Sequence, residues 1–284
     1  MPGILYVVST PIGNLEDVTM RGVRILREAA VIAAEDTRRT AGLLARYGIA
    51  TPTTSLHEHN EGRKTPALIA RLLAGDHIAL VSDAGTPGVS DPGMRLIQAA
   101  IAEGISVTPV PGPSAILTAL VGAGLPFTVF TFVGFPPSRS KDLIKWLSAL
   151  TGEARPVVLF EAPHRVRATL AAMLKILGDR PITVGREMTK VHEEWLRGPV
   201  SEVLAHLANP RGEFTIVIPP APASPQAAGQ AFDPAAVYVE FCQLTENDGL
   251  GRRAAIVTLA ERHGRPAREI YKLVEEHKNM SKDQ

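Results

Sequence analysis

The sequence predicts an α/β fold with two α/β domains and a small C-terminal helical domain. Short apolar runs alternate with segments of helical periodicity, and loops rich in glycine and proline follow several of these runs. A charged, helical segment follows a Pro- and Ala-rich stretch near the C-terminus. A length of 284 residues is enough for two domains with separate cores. We place the domains at residues 1–120, 121–220 and 235–284, with a linker over 221–234.

In the first domain, strands and helices alternate regularly. Strands are expected where short runs are apolar, and helices where apolar residues recur every three or four positions, as Val23 and Leu26 do. Asp36 or Thr37 is placed to cap one helix, and Ser114 another. The alternation predicts a mainly parallel sheet. The predicted strands are 4–9, 31–34, 77–81 and 106–110, and the predicted helices are 19–29, 38–47, 66–73, 94–103 and 115–121.

The pattern changes near Leu125 and Pro126, where the second domain is expected to begin. Its first predicted strand, 128–133, consists of β-branched and aromatic residues. Beyond it, residues 235–278 have helical periodicity. Residues 249–284 carry eight Lys or Arg against five acids, and this mild basic bias fits a solvated helical surface as well as an RNA-docking one. The second domain has predicted strands at 128–133, 155–160, 182–187, 193–197 and 214–218, and predicted helices at 141–150, 166–177 and 201–207.

Composition excludes several classes of protein. Hydrophobic residues make up 45% of the chain and charged residues 21%, as in ordinary globular proteins. No apolar run reaches membrane-spanning length, and the N-terminus lacks a basic-then-apolar signal. Cys242 is the only cysteine, so an internal disulfide is ruled out. We therefore expect a cytoplasmic protein with no membrane partner. The net charge of +1 means that any RNA contact would come from local basic patches.

The most informative stretch is residues 80–93, Leu-Val-Ser-Asp-Ala-Gly-Thr-Pro-Gly-Val-Ser-Asp-Pro-Gly. It connects a predicted strand to a predicted helix, and ligands of open α/β sheets bind at the carboxyl ends of strands. Glycine lets a ligand approach the backbone, and proline stiffens the loop. An ordinary strand-to-helix turn is the alternative. Together with the loops 10–15, 111–115 and 134–137, the stretch 80–93 predicts a site for a ligand with polar and apolar parts, such as a nucleoside.

Other familiar sites are missing from the sequence. There is no Gly-Lys-Ser/Thr phosphate loop, and no Gly-x-Gly-x-x-Gly follows the first strand. The histidines show no His-x-x-x-His spacing on a helix, and the His57–His59 segment is better explained as a solvated loop. We therefore predict no metal site, and an oxidoreductase with a dinucleotide cofactor is disfavoured.

Five segments form an ordered set of motifs along the chain: 10–15, 82–87, 111–115, 160–165 and 186–190. They resemble the motifs of the tetrapyrrole-methylase-like S-adenosylmethionine enzymes. Within that family the chain is most similar to the ribosomal RNA small subunit methyltransferase I subfamily, which methylates a cytidine ribose 2′-oxygen in 16S rRNA. The resemblance covers roughly residues 3–220. It implies S-adenosylmethionine in the cleft between two α/β domains, 16S rRNA of the small ribosomal subunit as substrate, and a homodimer.

One departure from the wider family concerns the second motif. Residues 85–87 are Gly-Thr-Pro, where much of the family has Gly-Asp-Pro. Either Asp83 or Asp91 replaces the missing acid, or the contact is through backbone alone. The first loop also lacks the glycine-rich form of the tetrapyrrole enzymes, and both departures favour the rRNA subfamily.

The resemblance also implies site residues. Expected cofactor contacts are Pro11, Asp83, Gly85, Thr86, Val89, Ser114, Ala115, Phe160 and Thr215. The expected substrate contacts come from charge and position in this sequence, not from the resemblance. They are Arg38, Arg39, Glu161, His164 and Arg165. Scattered solvated charges, and a cofactor or capping role for Glu161, are the alternatives. His164 and Arg165 are unusual because cations are disfavoured in the first turn of a helix.

Methyl transfer to a hydroxyl group also needs a base, and its candidates lie in the run 186–194. If that run is an extended strand, alternate side chains share a face. Lys190 would have to be neutral, which burial can achieve. A salt-bridged strand pair at the surface is the alternative. The candidate bases are Glu187, Lys190 and His192.

Two other functions stay open on the sequence alone. One is a methylase of a small tetrapyrrole, which would transfer label to a porphyrinoid and not to rRNA. The other is a non-catalytic ribosome-assembly factor that keeps the fold, which would bind S-adenosylmethionine weakly or not at all.

Overall fold

The computed structural model describes residues 1–221, 234–246, 250–263 and 265–280. The chain divides into two units, Met1–Ala221 and Pro222–Gln284. Most of the predicted linker 221–234 lies outside the described residues. The first unit contains two five-stranded sheets, and the second contains helices.

The first sheet is parallel throughout, as the alternation predicts, with the strand order β3-β2-β4-β1-β5. Every residue of β2 and β4 is buried, because helices cover both faces of the sheet. Its strands are β1 (Ile4–Val8), β2 (Val31–Ala34), β3 (Thr53–Ser55), β4 (Ile78–Val81) and β5 (Ser106–Val110). Its helices are α1 (Met20–Glu28), α2 (Thr37–Arg46), α3 (Glu61–Leu73) and α4 (Met94–Ala102).

Side-chain caps explain where several of these helices begin. Asp36 accepts a hydrogen bond from the Arg38 N–H at 2.9 Å and caps α2. The predicted start of α3 at Pro66 is wrong, because the helix begins a turn earlier at Glu61 and carries the proline in its second turn. The polar strand β3 was not predicted, since three Thr and Ser residues give no apolar signal.

The second sheet is mixed, with the order β6-β7-β10-β8-β9 and a parallel pairing only between β6 and β7. β6 is far shorter than the predicted strand 128–133. The helices α6 (Ser140–Ala149), α7 (Val166–Leu177) and α8 (Val200–His206) cover one face. Its strands are β6 (Thr131–Phe132), β7 (Val157–Glu161), β8 (Pro181–Arg186), β9 (Glu194–Pro199) and β10 (Phe214–Ile218).

Helix α5 (Ala115–Ala123) follows the first sheet in the chain but packs against the second. Its Ala119 and Leu120 are buried against Val158 and Val217 of β7 and β10. Ser114 caps it, as predicted, by accepting a hydrogen bond from the Leu117 N–H at 3.4 Å. The helix therefore joins the two sheets, and a boundary at residue 120 would cut it.

Close packing on α5 leads to a prediction for Gly122. A Cβ at Gly122 would overlap the Trp195 indole, whose position is further held by Arg197, 5.3 Å from the ring centroid. We expect Gly122→Ala to lower the free energy of unfolding by about 1–3 kcal/mol, because a bulky ring must move. Gly42→Ala is the matched control, because Gly42 lies in α2 with open space around it and alanine favours helix by about 0.5–1 kcal/mol. Denaturant unfolding of both variants tests this, and equal stability changes would contradict it.

The second unit, taken by itself, contains three helices in its described part: α9 (Pro234–Glu246), α10 (Arg252–His263) and α11 (Ala267–Met280). They bury a common core that includes Leu244, Leu259 and Leu273. A search of the described helices finds none with the length and apolar character to cross a membrane.

Candidate active site between the two sheets

A cavity of about 440 Å³ lies among the loops that follow strands of both sheets. Its volume lies in the range of pockets that bury a small organic ligand. Apolar side chains form most of its wall, and a few carboxylates and hydroxyl groups interrupt it. It is lined by Ile12, Glu35, Arg39, Asp83, Ala84, Gly85, Thr86, Val89, Ser90, Asp91, Ser114, Ala115, Ile116, Phe135, Phe160, Glu161, Ala162, Pro163, Met188, Glu213, Phe214 and Thr215.

Eight of the nine predicted cofactor residues line this cavity. They are Asp83, Gly85, Thr86, Val89, Ser114, Ala115, Phe160 and Thr215. Pro11 instead lines a smaller pocket of about 190 Å³, which shares Arg39 and Asp83 with the larger cavity. The loops 82–93 and 111–115, which the sequence predicts as part of a site, therefore line one cavity together with residues of the second sheet.

Hydrogen bonds hold the loops of the cavity together. Thr10 and Gly85 pair through both backbone hydrogen bonds, at 2.8 and 3.0 Å. The hydroxyl groups of Ser9 and Thr86 lie 2.8 Å apart. Gly85 has φ +76°, a conformation that favours glycine, and it turns the chain at this pairing. The loop is consequently rigid before any ligand arrives, which lowers the entropy cost of binding.

Aromatic rings form one wall. Phe160, at the end of β7, lies 4.9 Å from Phe132 and 5.6 Å from Phe135, measured between ring centroids. Phe135 is 52% exposed although it is a large apolar residue. A partly open aromatic wall of this kind offers a stacking surface to a planar base.

Carboxylates also line the cavity, and three of them, Glu35, Asp83 and Asp91, come from the first sheet's loops. Asp83 accepts a hydrogen bond from the Asp36 N–H at 3.0 Å and pairs with Arg39 at 3.4 Å. Burial raises the pKa of Glu35, although the Asp83 N–H donates to its carboxylate. Burial, together with the negative charges of Glu35 and Asp83, raises the pKa of Asp91 to about 7. This part of the cavity thus favours a cationic or hydrogen-bond-donating ligand group.

Two of the predicted substrate residues, Glu161 and Arg165, form an ion pair and hydrogen bonds within the protein. The Glu161 side chain is fully buried, accepts from the Thr169 hydroxyl at 2.5 Å, and lies 3.5 Å from Arg165. Arg165 in turn donates to the carbonyls of Pro136 and Pro137 at 2.6 and 3.0 Å. This explains the cation at the start of α7: it anchors the loop that carries the aromatic wall, and a buried carboxylate balances its charge.

The run 186–194 is not one extended strand. The prediction that alternate side chains of this run share a face required such a strand, so it does not apply. β8 ends at Arg186 and β9 begins at Glu194, with a turn between them in which Glu187 and Thr189 have φ +49° and +67°. The turn is tied to the first loop, because the Asn14 N–H donates to the Thr189 hydroxyl at 2.9 Å.

None of the three candidate bases in this turn lines the main cavity, although Lys190 contacts Glu213, which does. Lys190 pairs with Glu187 at 2.9 Å and with Glu213 at 3.0 Å. Burial alone would lower the pKa of Lys190, but its hydrogen bonds to these two carboxylates outweigh burial and raise the pKa. Lys190 is therefore held charged and lacks the neutral amine of a proton acceptor. It lines the smaller pocket, and His192 is exposed.

The remaining basic residues lie at the surface. Arg38 is 89% exposed and pairs with Asp36 at 2.7 Å, Arg39 is 66% exposed, and His164 is exposed. Of these, only Arg39 lines the cavity. Within the described ranges, no group of three or more His, Cys, Asp or Glu side chains is arranged to hold a metal.

Sequence reasoning missed part of the lining. Phe135 was within reach of prediction, because it lies in the loop 134–137 that the proline and glycine content singles out. Glu35 follows β2 directly, so its place at the sheet edge was also predictable. Two apolar residues outside the predicted loops and motifs, Ile116 and Phe214, gave no signal that separates a ligand wall from a core.

Comparisons with known proteins point to one family. The family model described as Tetrapyrrole (Corrin/Porphyrin) Methylases matches residues 4–204. The ribosomal RNA small subunit methyltransferase I of Halalkalibacterium halodurans is 42% identical over 279 residues, which is 95% of this chain and 94% of that protein. The protein of the same name from Bacillus subtilis is 47% identical over 218 residues, which is 76% of this chain and 75% of that protein.

Solved structures share the fold at lower identity. The methyltransferase CobJ matches with a TM-score of 0.60 at 20% identity, over 77% of this chain and 95% of its own. The uroporphyrin-III C-methyltransferase of Thermus thermophilus, complexed with S-adenyl homocysteine, matches with a TM-score of 0.55 at 18% identity, over 76% and 97%. Both similarities concern the architecture of the two sheets.

Proposed function

The chain belongs to the tetrapyrrole (corrin/porphyrin) methylase family, and on that premise we propose that it methylates 16S rRNA in the small ribosomal subunit, using S-adenosylmethionine. The acceptor in this proposal is a cytidine ribose 2′-oxygen. One observation carries the choice of rRNA: 42% identity to a ribosomal RNA small subunit methyltransferase I along 95% of the chain. The two solved structures described above are only about half as similar, at 18–20% identity.

The cavity suits S-adenosylmethionine chemically. This cofactor combines an adenine ring, a ribose and a positively charged sulfonium group, and when bound it supplies an electrophilic methyl group. Phe160 and Phe135 offer an aromatic surface for the ring, and the hydroxyls of Thr86 and Ser114 offer hydrogen bonds. The carboxylates in the cavity lining complement a positive charge. The chain thereby binds and orients the reacting groups, which accounts for a large part of catalysis in such a transfer.

Arg38, Arg39 and His164 are the proposed contacts to rRNA phosphates. All three are exposed, and Arg39 extends from the cavity wall towards solvent. Phosphate contacts of this kind position an RNA without reading its sequence. Glu161 and Arg165 contribute indirectly, by fixing the loop that carries Phe135.

A homodimer also belongs to this proposal. Leu117 and Val121 lie four residues apart on one face of α5, and they are 52% and 73% exposed. Val129 nearby in the chain is 58% exposed. Apolar residues exposed together on one helix face are typical of protein interfaces. Sedimentation equilibrium would measure the mass, and a monomer at micromolar concentration would exclude the homodimer.

The experiment that tests this function measures methyl transfer and binding separately. Radiolabelled S-adenosylmethionine is offered to small ribosomal subunits from cells that lack the gene, and to a porphyrinoid. We expect label in 16S rRNA, as 2′-O-methylcytidine on nucleoside mass spectrometry, together with a clear heat of binding for S-adenosylhomocysteine. Label only in the porphyrinoid would support a tetrapyrrole methylase. No heat of binding and no label would leave the assembly-factor function.

A further inference from the structure

A transfer to a hydroxyl group needs an acceptor for the proton that the hydroxyl loses. The inference about which group accepts this proton rests on the function proposed above. The cavity wall offers five carboxylates, and their surroundings differ. They belong to Glu35, Asp83, Asp91, Glu161 and Glu213.

Three of these carboxylates are neutralised by cations. Asp83 pairs with Arg39 at 3.4 Å, and Glu213 pairs with Lys190 at 3.0 Å. Glu161 is fully buried against Arg165, and the Thr169 hydroxyl holds its other oxygen. Each of these three carboxylates is thus already engaged by a cation of the chain itself.

The two remaining carboxylates are Glu35 and Asp91. Glu35 accepts a hydrogen bond from the backbone N–H of Asp83 at 3.1 Å, which fixes its carboxylate against the β4 loop. Among the described residues, a hydrogen bond with the Ser82 hydroxyl lowers the pKa of Asp91. The charged groups that act on its pKa there are both acidic, Glu35 from the end of β2 and Asp83 from the loop after β4.

The backbone around Asp91 is held in place from both sides. Ser90 has φ +64°, an uncommon conformation for a residue with a side chain, which is found where surrounding structure enforces it. On the other side, the Glu61 carboxylate accepts hydrogen bonds from the N–H groups of Gly93 at 3.1 Å and Arg95 at 2.9 Å. Glu61 is buried, so this anchor at the start of α4 is shielded from water. Asp91 therefore occupies a defined place on the cavity wall.

We propose that Asp91 is the general base, whose carboxylate accepts the proton of the attacking rRNA hydroxyl. The hydroxyl oxygen forms its bond to the methyl carbon while the carbon–sulfur bond breaks and leaves its electron pair on sulfur. The proton passes to Asp91 and from there to water. The pKa of Asp91, raised to about 7 by burial and by the two neighbouring acids, suits a group that must be ionised before transfer and protonated after it.

The kinetic test uses Asp91→Asn, which keeps the shape of the side chain and removes its basicity. We expect the single-turnover rate of methyl transfer to small subunits to fall by about 100-fold or more, while S-adenosylhomocysteine binds with unchanged affinity. The wild-type rate should rise with pH up to about 7 and then level off. Asp142→Asn is the matched control, because Asp142 is exposed on α6, and it should leave both rate and binding unchanged.

A second measurement does not depend on activity. Because the folded protein raises the pKa of Asp91, ionisation of this carboxyl opposes folding, and the wild type loses stability as pH rises through the interval from about 4 to about 7. Asp91→Asn lacks this loss. Its thermal midpoint relative to wild type should therefore increase between pH 5 and pH 8, by about 2–4 °C for a group that is only partly buried.

The outcomes are distinguishable. An active wild type with an equally active Asp91→Asn variant overturns this assignment and leaves the proposed function intact. A thermal-midpoint difference that does not change with pH also overturns it. A wild type that transfers no label to rRNA overturns the proposed function itself. Should the asparagine variant fail to fold, Asp91→Glu keeps a carboxylate and is expected to retain a measurable, pH-dependent rate.

Discussion

Replacing Ala115 by Trp is expected to abolish binding of S-adenosylhomocysteine to the purified protein. Ala115 is the first residue of α5, and it lines the cavity with Ser114 and Ile116. An indole group at this position would fill space that the cavity of about 440 Å³ leaves for the ligand. Calorimetry should show an affinity at least about 100-fold weaker than that of the wild type, or no heat at all.

Ala102→Trp is the matched control for this substitution. Ala102 is the last residue of α4 and is exposed, so the same change in side chain adds bulk only in solvent. Far-UV circular dichroism and thermal unfolding should show both variants folded. Wild-type affinity in Ala115→Trp would mean that the ligand lies elsewhere, and the cavity would lose its assignment.

Removing the buried carboxylate of Glu161 is expected to have the largest effect on stability. In Glu161→Ala, the Thr169 hydroxyl and the Ala162 N–H lose their acceptor, and Arg165 keeps its charge with no carboxylate at 3.5 Å. Leaving such groups unpaired in the interior costs about 3 kcal/mol or more. For a unit of this size, that corresponds to a fall in thermal midpoint of about 6–12 °C.

The chain offers a matched control in Glu28→Ala. Arg24 and Glu28 also form a pair four residues apart, at 2.7 Å, but their side chains are 59% and 58% exposed. A solvated helix pair contributes about 0.5 kcal/mol or less. Differential scanning calorimetry compares the two variants directly. If Glu161→Ala loses no more stability than Glu28→Ala, the network around Arg165 does not hold its loop in the way described above.

Most of the first sheet was predictable, because its signals are local. The strands Val31–Ala34 and Ser106–Val110 end where the apolar runs end, and the caps Asp36 and Ser114 have the side chains that such positions favour. The start of α3 could not be predicted in this way, because a proline is tolerated inside a helix when tertiary contacts support the turn before it. Here, Glu61 gains those contacts by capping α4, far along the chain.

The candidate site was only partly predictable, for a different reason. Loops with unusual composition, such as 82–93, show themselves in the sequence, and they do line the cavity. Charge pairing cannot be read from the local sequence. Nothing near Lys190 in the chain indicates that it pairs with Glu213, and nothing near Arg165 indicates that it donates to the carbonyl of Pro136. Those partners decide which groups are basic and which are neutralised, so the candidate bases Glu187, Lys190 and His192 came from sequence proximity alone.

The hydrogen bond from Asn14 to Thr189 has a consequence for how the protein matures. It joins residues 175 positions apart, and the Ser9–Thr86 contact joins residues 77 apart. Contacts of such long sequence separation form late and slow the overall rate of folding. Because residues of both sheets line the cavity, a newly made chain gains affinity for its ligand only when both sheets are complete. A ligand present at that stage binds the finished state selectively and draws the folding equilibrium towards it.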